Sequence, residues 1–192
     1  MNAHVPEVEV PADPQELAQA VGTVMYAGDA ASQGLDMKVE EMAPGYARLT
    51  MRVRPDMLNG HKTCHGGFIF ALADSAFAFS CNSRNVSTVA SGCTIDYLAP
   101  GFEGDLLTAV AQERSLAGRT GVYDVTVTNQ DGRNVALFRG RSYRIKARSS
   151  AFPRTLEAAS QPKLYGRGPG SERAGHMPAA IRPRAERISG ER

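Results

Sequence analysis

The sequence has few cysteines, no surplus of charge of one sign and no long hydrophobic run. Its three cysteines are an odd number without the spacing of a metal site. Lysine and arginine number 22 against 20 aspartate and glutamate residues, so the net charge gives no indication of nucleic-acid binding. No stretch approaches the roughly 20 apolar residues that span a membrane. Acids and prolines stand where a signal peptide needs a basic and then an apolar segment. We therefore expect a reduced, cytoplasmic protein without a membrane or specific nucleic-acid partner.

Several common catalytic motifs are also missing. The sequence contains no Gly-x-Ser-x-Gly elbow, no Walker loop and no dinucleotide fingerprint. A nucleophilic pair of Cys64 and His65 is disfavoured, because adjacent side chains usually diverge and no third orienting group is evident. A zinc site built from His61, Cys64 and His65 lacks a fourth ligand. We expect neither a metal nor a cofactor.

The 192 residues suffice for one domain with a sizeable core. We predict a flexible leader over residues 1–12, a folded domain over residues 13–147 and a disordered tail over residues 148–192. The tail carries nine Lys or Arg and four Glu among many Ser, Pro and Gly residues, without hydrophobic periodicity. The basic character of the chain is therefore concentrated in the tail, whose role the composition does not specify.

The helices and strands of the domain are predicted from helix caps, turn residues and the alternation of apolar and polar residues. An Asp-Pro pair at residues 13–14 predicts a helix running to about residue 27. Residues 65–81 form a second, apolar helix of about four turns, which is expected to be buried. Strands are predicted over residues 36–42, 46–53, 86–98, 105–115, 121–129 and 134–145, and tight Gly-containing turns make the last ones antiparallel. The simplest packing is α+β: a curved antiparallel sheet of about six strands wrapped around one long central helix.

The apolar helix carries one ionisable carboxylate, Asp74. A buried acid is either paired or acts on a bound group, since an unpaired one costs several kcal/mol or shifts its pKa. Gly66 and Gly67 lie where the chain enters this helix, and the free N–H groups there suit a developing oxyanion. His65 either steadies the loop or contacts a substrate carbonyl. Asn59 is either a turn residue or a donor to a substrate oxygen.

Three motifs surround the start of this helix: residues 57–61 (MLNGH), 64–68 (CHGGF) and 72–76 (LADSA). Further stretches follow at residues 81–83, 89–96, 100–101, 120–124 and 135–140. Together these motifs resemble the hotdog-fold acyl-CoA thioesterases, and more narrowly the phenylacetate-pathway, PaaI-type enzymes. The resemblance covers roughly residues 15–146, and the tail has no counterpart in it.

The resemblance implies a fold, an assembly and a site. The fold is a helix inside a six-stranded antiparallel sheet, and two protomers form one continuous sheet that is often doubled to a tetramer. The active site lies at the dimer interface, where Asp74 of one subunit meets Gly66 and Asn59 of the other. Asp74 is implied as nucleophile or general base, Gly66 N–H as the carbonyl-polarising donor, and Asn59 and His65 as further catalytic residues.

Weaker assignments concern substrate binding. Gly67 follows the oxyanion glycine, and Ser91 lies beside Ala90, where some relatives carry a hydroxyl that positions water. Arg139 and Arg141 on the last strand are candidates for the phosphates of coenzyme A, although a solvated strand face is the more common place for such residues. The implied substrate is phenylacetyl-CoA or a hydroxylated analogue. Phe68, Phe70, Phe77 and Phe79 either line an aromatic acyl pocket or form core.

Two alternatives stay open on these residues. A hotdog hydratase or dehydratase pairs an active-site histidine with an acid, but here His65 directly precedes the helix, in the thioesterase arrangement. A non-catalytic acyl-CoA sensor is expected to lack the acid or to carry a DNA-binding extension, whereas Asp74 is present and the tail has no helix-turn-helix pattern.

Overall fold

A computed structural model of the protein describes residues 10–145. One six-stranded antiparallel sheet has the strand order β1-β2-β4-β5-β6-β3. The strands are β1 (Lys38–Ala43), β2 (Tyr46–Arg52), β3 (Thr88–Tyr97), β4 (Leu106–Ala117), β5 (Thr120–Thr128) and β6 (Asn134–Arg144), and the helices are α1 (Pro14–Gly28), α2 (Ala30–Gly34) and α3 (Gly66–Asn82). This confirms the predicted α+β architecture. Most of the predicted leader and the whole tail over residues 148–192 lie outside the described residues.

The long helix α3 lies in the concave face of the sheet. It contacts all six strands, and one helix reaches six strands only if the sheet curves around it. Leu72, Ala73 and Ala76 are completely buried, and Phe77 and Phe79 are each 1% exposed. Gly140 on β6 makes room for this packing, because a Cβ atom there would lie 2.8 Å from the Phe77 ring. Among residues 10–145, no helix is both long and apolar enough to cross a membrane.

One stripe of α3 is less covered than the prediction of an all-round buried helix implies. Its members recur three or four residues apart, so they share one side of the helix, and each is only half-buried: Phe70, Ala71, Asp74, Ser75 and Ala78. The Ser75 hydroxyl lies 3.1 Å from the hydroxyl of Ser32 in α2. The rest of the stripe is an apolar strip with one carboxylate in it.

The first helix begins where the sequence predicts. The Asp13 carboxylate accepts hydrogen bonds from the Gln15 and Glu16 N–H groups, both at 2.9 Å, and Pro14 occupies the first helical position. The short helix α2 was not predicted. Asp29 caps it by accepting from Ser32 N–H at 3.0 Å, so a local side-chain contact rather than hydrophobic periodicity defines this element.

Strand boundaries differ from the predictions by one or two residues for local reasons. Asp36 has φ 54°, which is a turn conformation, so β1 begins at Lys38 instead of residue 36. The Asn82 side chain accepts from Thr88 N–H at 2.9 Å and donates to Thr88 O at 3.0 Å, and β3 begins there. The β4–β5 hairpin turns at Gly118, whose φ of 58° suits the two-residue turns of hairpins.

Candidate active site

A tightly bonded loop delivers the chain to the start of α3. The Cys64 N–H donates to Gly101 O and the His65 N–H donates to Met57 O, both at 2.9 Å. The Asn59 side chain closes the loop internally: its oxygen accepts from His61 N–H at 2.9 Å and its amide group donates to the Thr63 hydroxyl at 3.0 Å. The backbone before α3 is therefore fixed before any ligand binds.

The first turn of α3 leaves one N–H group available. Gly67 N–H donates to His65 Nδ1 at 3.0 Å, and Phe68 N–H donates to His65 O at 2.9 Å. Gly66 N–H has no acceptor within the described part of the chain. Since the first N–H groups of a helix point outward at its positive end, Gly66 presents a ready donor. Gly67 N–H is already used by the His65 ring.

The cap also defines the state of His65. Its Nδ1 atom accepts a hydrogen bond, so this pattern assigns the proton of the neutral ring to Nε2. The side chain is exposed. His65 thus steadies the loop, as one of its two predicted roles states, and retains an Nε2–H donor that faces outward from the capped turn.

Asp74 has the character of a functional carboxylate. It is half-buried on the exposed stripe of α3, and burial raises the pKa of its carboxyl above the ordinary value. No charged or hydrogen-bonding partner among residues 10–145 opposes that shift. A structural ion pair of Asp74 is therefore not observed within the described part of the chain. Carboxylates with a burial-raised pKa beside an open surface are typical of catalytic acids and bases.

Gly66 and Asp74 of one chain are too far apart to act on the same atom. They are eight residues apart in one helix, which separates them by about 12 Å along its axis. In a productive complex, the carbonyl oxygen must lie about 3 Å from the Gly66 nitrogen, and the carbonyl carbon must lie about 3 Å from the attacking oxygen. Within one protomer, Gly66 and Asp74 are therefore two separate candidate half-sites.

The two arginines predicted to bind phosphates lie on the far side of the sheet. Phe138 and Gly140 of β6 contact the rings of α3, so the alternating Arg139 and Arg141 point away from the helix. Both guanidinium nitrogens of Arg139 that face Asp124 donate to it, at 2.6 and 2.9 Å. Arg141 instead lies across Gly92 of the edge strand β3.

Ser91 lies in an irregular part of β3. The register with β6 shifts between Ala90 and Gly92, so Ser91 is the extra residue of a bulge. Its hydroxyl donates to Arg141 O at 3.1 Å. The bulge changes the direction of the side chains at the position where the resemblance implies a water-positioning hydroxyl.

The remaining candidates separate clearly by burial. Cys64 is buried, its thiol faces the His65 carbonyl, and burial raises its pKa to about 11, so it is a poor nucleophile. Phe77 and Phe79 belong to the core, whereas Phe68 and Phe70 are only half-buried. Only the latter two remain available to a bound acyl group.

Tyr97 is the residue near this site that sequence reasoning missed. It lies at the end of β3, and its hydroxyl donates to Gly66 O at 3.0 Å. Strand alternation was the available signal, because it places Tyr97 on the same face of β3 as Ile95 and Cys93, which both turn toward the helix.

Comparisons with known proteins agree with this geometry. The model of the thioesterase superfamily matches residues 61–136. The acyl-coenzyme A thioesterase PaaI of Escherichia coli K12 is 54% identical over 121 residues, which are 63% of this chain and 86% of that protein.

Solved structures lead to the same family. The E. coli PaaI protein from the phenylacetic acid degradation operon has a TM-score of 0.69 at 49% identity, covering 70% of this chain and 98% of that one. A hypothetical thioesterase protein of Streptococcus pneumoniae TIGR4 with coenzyme A has a TM-score of 0.56 at 31% identity, covering 59% and 91%. These matches favour a thioesterase over the hydratase and sensor alternatives. The chain therefore belongs to the thioesterase superfamily, as a hotdog-fold thioester hydrolase of the PaaI type.

Proposed function

We propose that this enzyme hydrolyses acyl-CoA thioesters, with phenylacetyl-CoA or a hydroxylated phenylacetyl-CoA as the preferred substrate, to the free acid and coenzyme A. The observation that carries the proposal is the pair of half-sites on α3: among residues 10–145, the Gly66 N–H donor has no acceptor and the Asp74 carboxylate has no partner. The identity to PaaI, a protein of a phenylacetic acid degradation operon, supports this choice of acyl group.

The first chemical requirement is polarisation of the thioester carbonyl. Gly66 N–H donates to the carbonyl oxygen and stabilises the negative charge that develops on it. The donor needs no reorganisation, because the loop before it and the two following N–H groups are already bonded. His65 Nε2–H acts as a further donor to the same oxygen, and Asn59 contributes the second hydrogen of its amide group, because the first is donated to the Thr63 hydroxyl.

The second requirement is an oxygen nucleophile, which Asp74 supplies or activates. As a general base, its carboxylate takes a proton from water while the water oxygen bonds to the carbonyl carbon. As a nucleophile, it bonds to that carbon itself and water cleaves the resulting anhydride. In both routes the carbon–sulfur bond breaks, sulfur leaves as the thiolate of coenzyme A, and the thiolate takes up a proton.

One single-turnover experiment distinguishes the two routes. In heavy-oxygen water, a general base places the heavy oxygen in the product acid during the first turnover. If Asp74 is the nucleophile and water attacks its carboxyl carbon, the product instead receives an ordinary oxygen from Asp74, and the heavy oxygen stays on the protein. Mass spectrometry of both the acid and the peptide containing Asp74 reads the outcome.

A complete site requires a second copy of the chain, because the half-sites of one helix lie about 12 Å apart. The two sheet edges differ in their suitability for pairing. Strand β1 is short, carries Lys38, Glu40 and Glu41 and contains a bulge, which are features that block edge pairing. Strand β3 has ten residues with one charged side chain, and Val89 on it is 44% exposed. We propose a dimer through β3, which is doubled further to a tetramer.

Substrate contacts follow from the residues that remain exposed. Phe68 and Phe70 offer aromatic surface to a phenyl group. Arg141 reaches across Gly92 toward the free edge of β3, where the proposed partner lies, and is the better candidate for a phosphate of coenzyme A. Arg139 binds a phosphate only if it gives up its two hydrogen bonds to Asp124. Gly67 and Ser91 are weaker candidates, because the Gly67 N–H group already donates to His65 Nδ1 and the Ser91 hydroxyl already donates to Arg141 O.

The proposal is tested by thiol release from a panel of thioesters. Phenylacetyl-CoA, hydroxyphenylacetyl-CoA, benzoyl-CoA and linear acyl-CoAs are supplied to the purified protein, and free thiol is followed with a chromogenic disulfide. We expect the highest kcat/KM for the phenylacetyl compounds. A preference for linear chains would overturn the assigned acyl group, and absence of release from every member would overturn the proposed reaction.

A further inference from the structure

The ring of Tyr97 lies directly against the start of α3. Its hydroxyl donates to Gly66 O at 3.0 Å. A Cβ atom on Gly66 would lie 3.1 Å from Cζ and 3.2 Å from the hydroxyl oxygen of this ring. These distances are tighter than most real Cβ contacts, so a side chain at residue 66 would require the Tyr97 ring to move by a few tenths of an ångström. The absence of a side chain at Gly66 therefore allows the close approach of Tyr97.

The peptide group between Gly66 and Gly67 is held at both ends. Tyr97 binds its carbonyl oxygen, and His65 Nδ1 binds its N–H group. Glycine has access to more backbone conformations than any other residue, so two successive glycines at a helix start do not fix a donor direction by themselves. The Gly66 N–H group belongs to the preceding peptide group, whose carbonyl oxygen, His65 O, accepts a hydrogen bond from Phe68 N–H at 2.9 Å. Because the peptide groups on both sides of Gly66 are bonded, rotation about its backbone bonds is restricted, and the direction of the Gly66 N–H group is restricted with it.

We propose that Tyr97 is a positioning residue that aims the Gly66 N–H group at the thioester carbonyl. This inference rests on the proposed function, in which Gly66 N–H polarises that carbonyl. Tyr97 acts through Gly66 and exchanges no proton with the substrate. With Tyr97, the site includes the end of strand β3 in addition to the loop and helix that carry the family motif. Strand β3 is also the strand proposed to pair with the second protomer.

The contact is specific to one tyrosine of the sheet. Tyr97 is 52% exposed, yet its hydroxyl is committed to a backbone acceptor. Tyr143 on β6 is 38% exposed and packs by its ring beneath Arg119, and its hydroxyl has no hydrogen-bond partner in residues 10–145. It is therefore a matched control for removing a partly exposed tyrosine hydroxyl.

The first test compares Tyr97→Phe with Tyr143→Phe. Tyr97→Phe keeps the ring and deletes the hydrogen bond to Gly66 O. Because small misplacement of a catalytic group is costly, we expect kcat to fall about tenfold while KM stays within about twofold. We expect Tyr143→Phe to match the wild type in both constants. An unchanged kcat for Tyr97→Phe, or an equal loss in Tyr143→Phe, would overturn the inference.

A spectroscopic test separates this inference from the proposed function. An isotope-labelled thioester carbonyl is bound to Asp74→Asn, which preserves the ester, and its infrared stretch is compared with that of the free ester. We expect a shift to lower frequency that is smaller in Asp74→Asn combined with Tyr97→Phe. Equal shifts in the two proteins would refute the role of Tyr97 alone. No shift in Asp74→Asn itself would refute the oxyanion role of Gly66 and, with it, this inference.

Discussion

Asp74 is the residue at which the proposed chemistry has the most direct cost in stability. Its carboxylate is half-buried on an apolar stripe, and burial raises its pKa because the charged form loses hydration. Nothing within residues 10–145 compensates that loss. The same absence of a partner leaves the carboxylate free to react. A residue with these properties is expected to be dispensable for folding and indispensable for turnover.

We expect Asp74→Asn to lower kcat by at least about a hundredfold, since removal of a general base or nucleophile costs that much or more. Steady-state thiol release measures the loss, and circular dichroism checks that the fold is retained. Glu103→Gln, which removes an exposed carboxylate, is the control and should retain full activity. Near-wild-type turnover in Asp74→Asn would remove Asp74 from the mechanism.

The stability of Asp74→Asn should depend on pH in a defined direction. Because the folded-state pKa lies above the ordinary value of 3.8, the ionised carboxylate destabilises the native protein at neutral pH. Below about pH 3.8 the group is protonated in both states, and the penalty disappears. We therefore expect Asp74→Asn to have the higher Tm at pH 7 and to lose this advantage as the pH falls. Equal Tm values at pH 7 would show that Asp74 is compensated by a partner, such as a second protomer.

The residues of the site differ in how visible they are in the sequence. Asp74 and Gly66 stand out because an acid is unusual in an apolar helix and glycine is a poor helix former. The sequence suggested that His65 steadies the loop, but it did not show that the ring caps the helix, because the direction of this side chain depends on the loop conformation. Strand alternation could place Tyr97 on the helix-facing side of β3 but not against Gly66, because the two residues are 31 positions apart in the chain and only the folded sheet brings them together.

At the scale of elements, the spacing between α3 and the sheet depends on Gly140. A strand residue with a side chain would push the Phe77 ring away from β6. The same ring also packs against Tyr123 and Phe138, with centroid distances of 5.5 and 5.9 Å. Helix α3 therefore packs closely against β6 at Phe77. This close packing determines the position of Asp74, which lies about one turn away on the half-buried stripe.

We expect Gly140→Ala to destabilise the protein by about 1–3 kcal/mol, the usual cost of adding a methyl group to a packed core. Chemical denaturation measures the change. Gly28→Ala is the matched control, because a Cβ atom at this last residue of α1 meets nothing within 4 Å, and it should be no less stable than the wild type. Equal stability of both variants would show that the helix can shift freely against β6.

Element types were predictable from the sequence, whereas several boundaries were not. Periodicity and turn residues gave α1, α3 and all six strands. The errors lie where a single side chain decides, as with Asp29, which caps the unpredicted helix α2, and Asn82, which fixes the first residue of β3. Such contacts join residues that pattern reasoning treats independently, and they appear only once the chain is folded.

At the scale of the whole molecule, the proposed site between two protomers predicts complementation between inactive chains. We expect a refolded equal mixture of Asp74→Asn and Asn59→Ala to regain activity in about a quarter of the sites, because half of the dimers are mixed and each has one intact site. The control is a mixture of Asp74→Asn with the double variant Asp74→Asn/Asn59→Ala, which should stay inactive because no chain in it carries Asp74. Failure to regain activity, or an active monomer in sedimentation, would contradict a shared site.

The predicted tail should be dispensable for catalysis. Residues 148–192 are rich in Arg, Ser, Pro and Gly, and ordering such a segment costs about 1–2 kcal/mol per residue with little apolar burial in return. We expect truncation after Ala147 to leave kcat/KM and oligomer mass unchanged, as measured by thiol release and sedimentation. Slow amide exchange over residues 150–190 in the full-length protein, or loss of activity on truncation, would show that the tail is part of the fold.

The burial of two cysteines has a practical consequence for labelling. Burial raises the pKa of Cys64 to about 11 and that of Cys81 to about 12, so neither forms appreciable thiolate at neutral pH. Cys93 is the partly exposed exception in the described chain. In native protein, a maleimide dye should therefore modify Cys93 before the two buried cysteines, and in denatured protein it should modify all three. The slow appearance of the second and third labels under native conditions then gives the rate at which the core opens.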